Sequence, residues 1–171
     1  VNLVLKSGGT VKRVTAPAGE AKAGDFIVTS SPAVAESAAA ATGVNFAAAP
    51  GNVSGYSVKA PRVAMLKRYR GGNIDEGWTR FLLEQYDFKS ASLMDAEIKA
   101  GKLINKYDVI VLPSDSLTNM TGETPKNEGS SRGGGSGRES IESVPPEYRS
   151  GFGDEGVKAL EEFVKAGGRL I

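Results

Sequence analysis

Two short apolar runs constrain the fold of this chain more than any other feature. Arg62-Val63-Ala64-Met65-Leu66 and Asp108-Val109-Ile110-Val111-Leu112-Pro113 are continuous, not alternating. A strand with one face in water alternates apolar and polar residues. An unbroken apolar run suits a central parallel strand covered on both faces. Parallel neighbours need crossover helices, and the intervening sequence supplies them. Ile74, Trp78, Leu82 and Tyr86 recur every four residues with Phe81 beside them, which predicts an amphipathic helix with one buried stripe and Trp78 as its core anchor. Asn73 stands where it can cap that helix, with Glu76 three residues on in capping-box spacing.

Residues 89–94 read as a second strand, and Asp95 reads as the cap of a short helix reaching Gly101. A last helix is predicted over residues 154–166, with Val157, Leu160, Phe163 and Val164 on its buried side and Gly167 closing it. Arg169-Leu170-Ile171 opens a further strand. A chain that stops inside a strand reads as a piece of a larger protein. From Arg62 onward the order is β-α-β-α-β-loop-α-β, which predicts an α/β fold with a mostly parallel sheet and right-handed crossovers.

Residues 1–60 form a lead-in unit in this reading, of αββα type. It has a helix over residues 2–6, strands over 10–15 and 25–29, a helix over 32–42 and a loop over 44–60. Ser31-Pro32 is a favoured helix start. Residues 61–171 form the α/β domain. Between about 116 and 144 glycines crowd among Ser, Asn, Lys and Glu, and a mobile surface loop is expected. The Gly133-Gly134-Gly135-Ser136-Gly137 run lacks the Gly-Lys-Ser/Thr of a phosphate loop and does not directly follow a strand.

The 171 residues include no histidine and no cysteine. That removes disulfides, Ser-His-Asp and Cys-His catalysis, and zinc sites built on His or Cys. A net charge of +1 gives no reason to expect nucleic acid or an anionic membrane as partner. No apolar run approaches the roughly 18 residues of a membrane span.

Ligands on parallel sheets sit at the carboxyl ends of the strands. Here those ends carry Lys67, Arg68, Arg70 and Asn73 after the first run, Asp95 after the second strand, and Ser114-Asp115-Ser116 after the third. Arg68 and Arg70 could hold an anion near the helix start, or form a solvated basic turn. Asp75 and Glu76 could be an acid/base pair or metal ligands, or could complement the helix dipole. Ser114, Asp115 and Ser116 could line a ligand crevice, but a serine without a histidine base is a poor nucleophile.

Several longer stretches carry a family resemblance. They are residues 75–88, Asp95-Ala96-Glu97-Ile98-Lys99-Ala100-Gly101, Tyr107 through Pro113, Pro145-Pro146-Glu147-Tyr148-Arg149-Ser150-Gly151 and Phe163-Val164-Lys165-Ala166-Gly167-Gly168. Together they resemble the C-terminal region of bacterial zinc carboxypeptidases of the carboxypeptidase A class. In that group a metallopeptidase-like domain is followed by a domain similar to class I glutamine amidotransferases.

The resemblance implies a three-layer flavodoxin-like fold with helices on both faces of the sheet. It also implies an exported protein, with zinc held by the parent's peptidase domain and no cofactor in this segment. The peptidase His-x-x-Glu motif has no counterpart here. The turn where such folds hold an oxyanion reads Ser114-Asp115-Ser116, without glycine, and the turn that would carry a nucleophilic cysteine would follow Ile171.

Three functions are compatible with this reading. One is a non-catalytic accessory domain that supports the parent's peptidase domain or helps it recognise peptide or cell-wall-derived substrate. Another is a small-molecule or anion-binding module. The third is an amidotransferase-like hydrolase whose nucleophile lies beyond Ile171. An open sheet edge at Ile171 also suggests homodimerisation there.

Overall fold

The computed structural model describes residues 1–49, 51–69, 72–122, 145, 148 and 150–171. The chain divides into two compact units, residues 1–60 with 86–88 and residues 61–85 with 89–171.

The first unit contains α1 (Asn2–Lys6), β1 (Thr10–Val14), β2 (Phe26–Thr29), α2 (Pro32–Thr42) and β3 (Gly55–Val58). β1 lies between β2 and β3, antiparallel to both, with Val11 opposite Val28 on one side and Val58 on the other. Val4, Val11 and Ala38 are buried together, with Leu3, Leu5, Val28, Val34 and Val58 packed around them. α2 starts on Ser31-Pro32 as predicted and ends where Gly43 turns left-handed at φ 69°.

β3 corrects the expected αββα pattern and adds an antiparallel sheet to the predicted parallel one. It lies in residues read as loop. Three of its four residues are exposed, so it shows no burial pattern that composition could reveal. Gly55 permits the pairing, because a Cβ there would run into the Arg13 carbonyl oxygen.

The second unit is mixed α/β with a four-stranded parallel sheet. Its strands are β4 (Val63–Leu66), β5 (Ser90–Leu93), β6 (Val109–Val111) and β7 (Arg169–Leu170), in the order β5-β4-β6-β7. All four residues of β4 are buried, as its continuous apolar run predicts. Its helices are α3 (Ile74–Gln85), α4 (Asp95–Ala100), α5 (Leu117–Thr121) and α6 (Gly153–Lys165).

One face of the sheet, carrying Ala64, Leu66, Leu93 and Ile110, packs with Ile98, Leu103, Phe152, Ala159, Leu160 and Phe163 into the main core. α6 meets that core with Gly156, Ala159, Leu160 and Phe163, a set spaced i, i+3, i+4, i+7. Leu160 and Phe163 are therefore placed as expected. Val157 and Val164 are not; both are exposed along the edge of that stripe.

α3 reverses the expectation for its own stripe. No residue of α3 is buried, and Trp78 is 63% exposed, so it is not a core anchor. The more shielded positions are Glu76, Thr79, Arg80 and Leu83. Arg80 is ion-paired with Glu76 and donates to the Ser92 hydroxyl on β5 at 3.2 Å. The strand beneath is Ser90-Ala91-Ser92-Leu93, whose small and polar side chains accept a polar helix face. The expected loop from 116 is also corrected at its start, where residues 117–121 are helical. Residues 123–144 lie outside the described residues.

Candidate functional site

β4 is followed by α3 and β5 on one side, while β6 lies on its other side. Connections thus diverge between β4 and β6, and the crevice beyond the carboxyl ends of such a pair is where open α/β sheets bind ligands. A small cleft of about 50 Å³ lies there, lined by Leu66, Lys67, Arg68, Gly72, Asn73, Glu76, Pro113 and Asp115.

Five of the eight predicted site residues lock together across this crevice, and Ser116 stands beside them. The Arg68 guanidinium and the Asp115 carboxylate form an ion pair at 2.7 Å, with only 17% and 11% of their side chains exposed. Arg68 also donates to the Gly72 carbonyl at 3.0 Å. Asn73 acts in two directions. Its Oδ1 accepts from the Asp75 backbone N–H at 2.8 Å and from that of Glu76 at 3.3 Å, which caps α3 as its position predicts. Its Nδ2 donates to the Ser114 carbonyl at 3.0 Å and to Asp115 at 3.4 Å. The Asp75 carboxylate accepts the Ser114 backbone N–H at 2.7 Å. Ser116 caps α5, its hydroxyl accepting from the Asn119 N–H at 3.2 Å.

The Glu76 side chain pairs with Arg80. Arg70 lies outside the described residues. Asn119 was missed by sequence reasoning; its side-chain amide donates to Asp115 at 2.8 Å. The Ser116-to-Asn119 spacing, a capping serine followed three residues later by a polar side chain, was the available signal.

Burial pushes the Asp115 carboxyl upward. The Asn119 amide, the Ser116 N–H, the Arg68 charge and the Asn73 amide outweigh it and hold the group below the usual carboxylate range. Its stabilising contribution is present above that range and is lost as pH falls through the lowered pKa.

Asp95 behaves in the opposite way. It was expected to cap α4. Met94 occupies the N-cap position instead, and the Asp95 carboxylate accepts the Gly151 backbone N–H at 2.7 Å. The residue is 4% exposed, and its Oδ1 is buried without a hydrogen-bond partner among the described residues. Burial raises its pKa above 3.8, against the Gly151 hydrogen bond and the charges of Lys99 and Arg68. The native state therefore holds this proton more tightly than the unfolded state, and stability falls as pH rises from about 4 through the raised pKa. Asp95→Asn keeps an oxygen for Gly151 and removes the buried charge. Its melting temperature relative to wild type should rise across that window and level off above it. A difference that stays flat from pH 4 to 8 would contradict this role for Asp95.

Among the described residues no group of three or more His, Cys, Asp or Glu side chains could hold a metal. Asp75 and Glu76, the candidate ligands, are bound to Ser114 and Arg80. No helix among the described residues is long and apolar enough to cross a membrane. No family model, curated protein or solved structure matches the chain.

Proposed function

We propose that this chain is a non-catalytic, amidotransferase-like α/β module of a zinc-carboxypeptidase-like protein. It would support the peptidase domain or help it recognise peptide or cell-wall-derived substrate. The observation that carries this reading is the network across the crevice. Arg68 and Asp115 neutralise each other, while Asp75 and Asn73 hold the Ser114 backbone. Most of the polar groups lining the crevice among the described residues are engaged with one another, the Arg68 Nε being the exception. The strand order β5-β4-β6-β7 supports a three-layer flavodoxin-like architecture, since renumbered within this unit it is 2-1-3-4. Export of the protein belongs to the same proposal and rests on the sequence resemblance.

A second reading, a small-molecule or anion-binding module, draws on the position of the cleft where the connections diverge. Turnover and binding assays separate the readings. The full chain should show no hydrolysis of ester, amide or glutamine substrates above the uncatalysed rate. It should also show no thermal shift with phosphate or sulfate. Turnover that disappears in Ser114→Ala or Asp115→Asn would make the chain an enzyme. A saturable shift that disappears in Arg68→Met would make it a binding module.

A further inference from the structure

We infer that Asp95 is a second partner held ready for Arg68, so that the ion pair across the crevice opens by handing the guanidinium from Asp115, at the end of β6, to Asp95, at the end of β5. The register sets this up. β4 lies between β5 and β6. Leu66 stands opposite Leu93, and the Lys67 N–H carries the ladder onward to the Leu93 carbonyl at 2.9 Å. Met94 is still extended, at φ −101° and ψ 156°. Two residues past the Leu66–Leu93 pair, Arg68 and Asp95 therefore stand level on neighbouring parallel strand ends. The period of two turns both side chains to the face that Leu66 and Leu93 occupy.

Each residue holds one buried polar atom without a partner among the described residues, and the two atoms are complementary. Arg68 uses Nη2 for Asp115 and the Gly72 carbonyl, which leaves the Nε donor. Asp95 uses Oδ2 for the Gly151 N–H, which leaves the Oδ1 acceptor. A buried donor and a buried acceptor left apart are both costly, and one bond between them satisfies both. The cations that act on Asp95 are Arg68, from the β4 end, and Lys99, from α4 itself. Asp115 is not stranded when Arg68 leaves. It keeps the Asn119 amide and the Ser116 N–H, each at 2.8 Å, and the Asn73 amide at 3.4 Å. The crevice thus has a closed arrangement, with Asp115 neutralised, and an open one, with the Asp115 carboxylate released and no guanidinium left unpaired. The inference rests on the Arg68–Asp115 pair and not on the identity of any parent protein.

The test is a carboxyl NMR titration of the full chain as wild type, Asp115→Asn, Arg68→Met and the double variant. In Asp115→Asn the guanidinium is released, and the Asp95 pKa should fall by about one unit or more. The same substitution in the Arg68→Met background removes the Asp115 charge with nothing to hand over. There it should move Asp95 less than about half as far. A fall as large in that background, or none in either, overturns the inference. The Arg68 Nε–H resonance is a second readout that needs no change at Arg68. In Asp115→Asn it should shift along with the Asp95 titration, and Asp95→Asn added to that variant should abolish the dependence. An Nε–H resonance indifferent to Asp95 overturns the hand-over. It leaves the Arg68–Asp115 pair itself standing, since the coupling of those two residues in stability is measured separately.

Discussion

Replacing Gly151 by alanine should cost about 3 kcal/mol or more and loosen the carboxyl end of the sheet. Gly151 sits at φ 130°, a conformation that L side chains rarely adopt. An added Cβ would also lie 2.7 Å from the Gly122 nitrogen and from the Thr121 carbonyl oxygen. Those are backbone atoms, so no rotamer change relieves the clash. The crossing of residues 121–122 with 150–151 brings the Gly151 N–H to Asp95 and, one residue on, the Phe152 N–H to the Met120 carbonyl at 3.0 Å. Chemical denaturation followed by circular dichroism should show the loss. Gly24→Ala is the control: it shares a positive φ of 98° but has nothing within 4 Å of the new Cβ, so it should show strain alone and a smaller effect.

Phe163→Ala should cost about 3–5 kcal/mol, through lost apolar burial plus the cavity left behind. Phe163 is 2% exposed, and it lies in the cluster that joins α6 to the inner face of the sheet. Its ring fills the space where Gly168 has no side chain, just before β7. The unfolding midpoint should therefore fall without a change in m-value. Val164→Ala is the contrast. It is one residue away and 47% exposed, so it should cost less than about 1 kcal/mol.

The contrast between Phe163 and Val164 shows what was legible in the sequence and what was not. Helix existence was readable from apolar period, and α2, α3 and α6 fall where the period and the Pro or Gly boundaries place them. Strands buried on both faces, such as β4, were readable because a continuous apolar run has few other destinations. The direction a stripe faces was not readable. α3 has a clear apolar stripe, but β5 offers it Ser90 and Ser92, so the polar face turns inward. That outcome depends on a partner strand remote from the helix period. β3 was illegible because a short, exposed strand has nearly the composition of a loop.

The candidate site was legible as a place and not as an arrangement. The strand-end rule brought Arg68, Asn73, Asp75, Glu76, Ser114, Asp115 and Ser116 to one end of the sheet. Which of them pair depends on loop conformations that local spacing does not encode. Asp95 is the clearest example. Its sequence position suits a cap, and its actual partner, Gly151, is 56 residues away.

The most direct test of the central claim, that the crevice residues hold one another, is a double-mutant cycle on Arg68 and Asp115. Arg68→Met, Asp115→Asn and the double variant should be compared with wild type by urea unfolding at pH 7 and again at low pH. The two side chains are largely shielded and 2.7 Å apart, so a coupling of about 1–3 kcal/mol is expected at neutral pH. It should decline as Asp115 takes up its proton below the ordinary carboxylate range. A coupling near zero at pH 7, with each single substitution neutral, would contradict the account. It would mean that the two charges stand available in the crevice for a ligand.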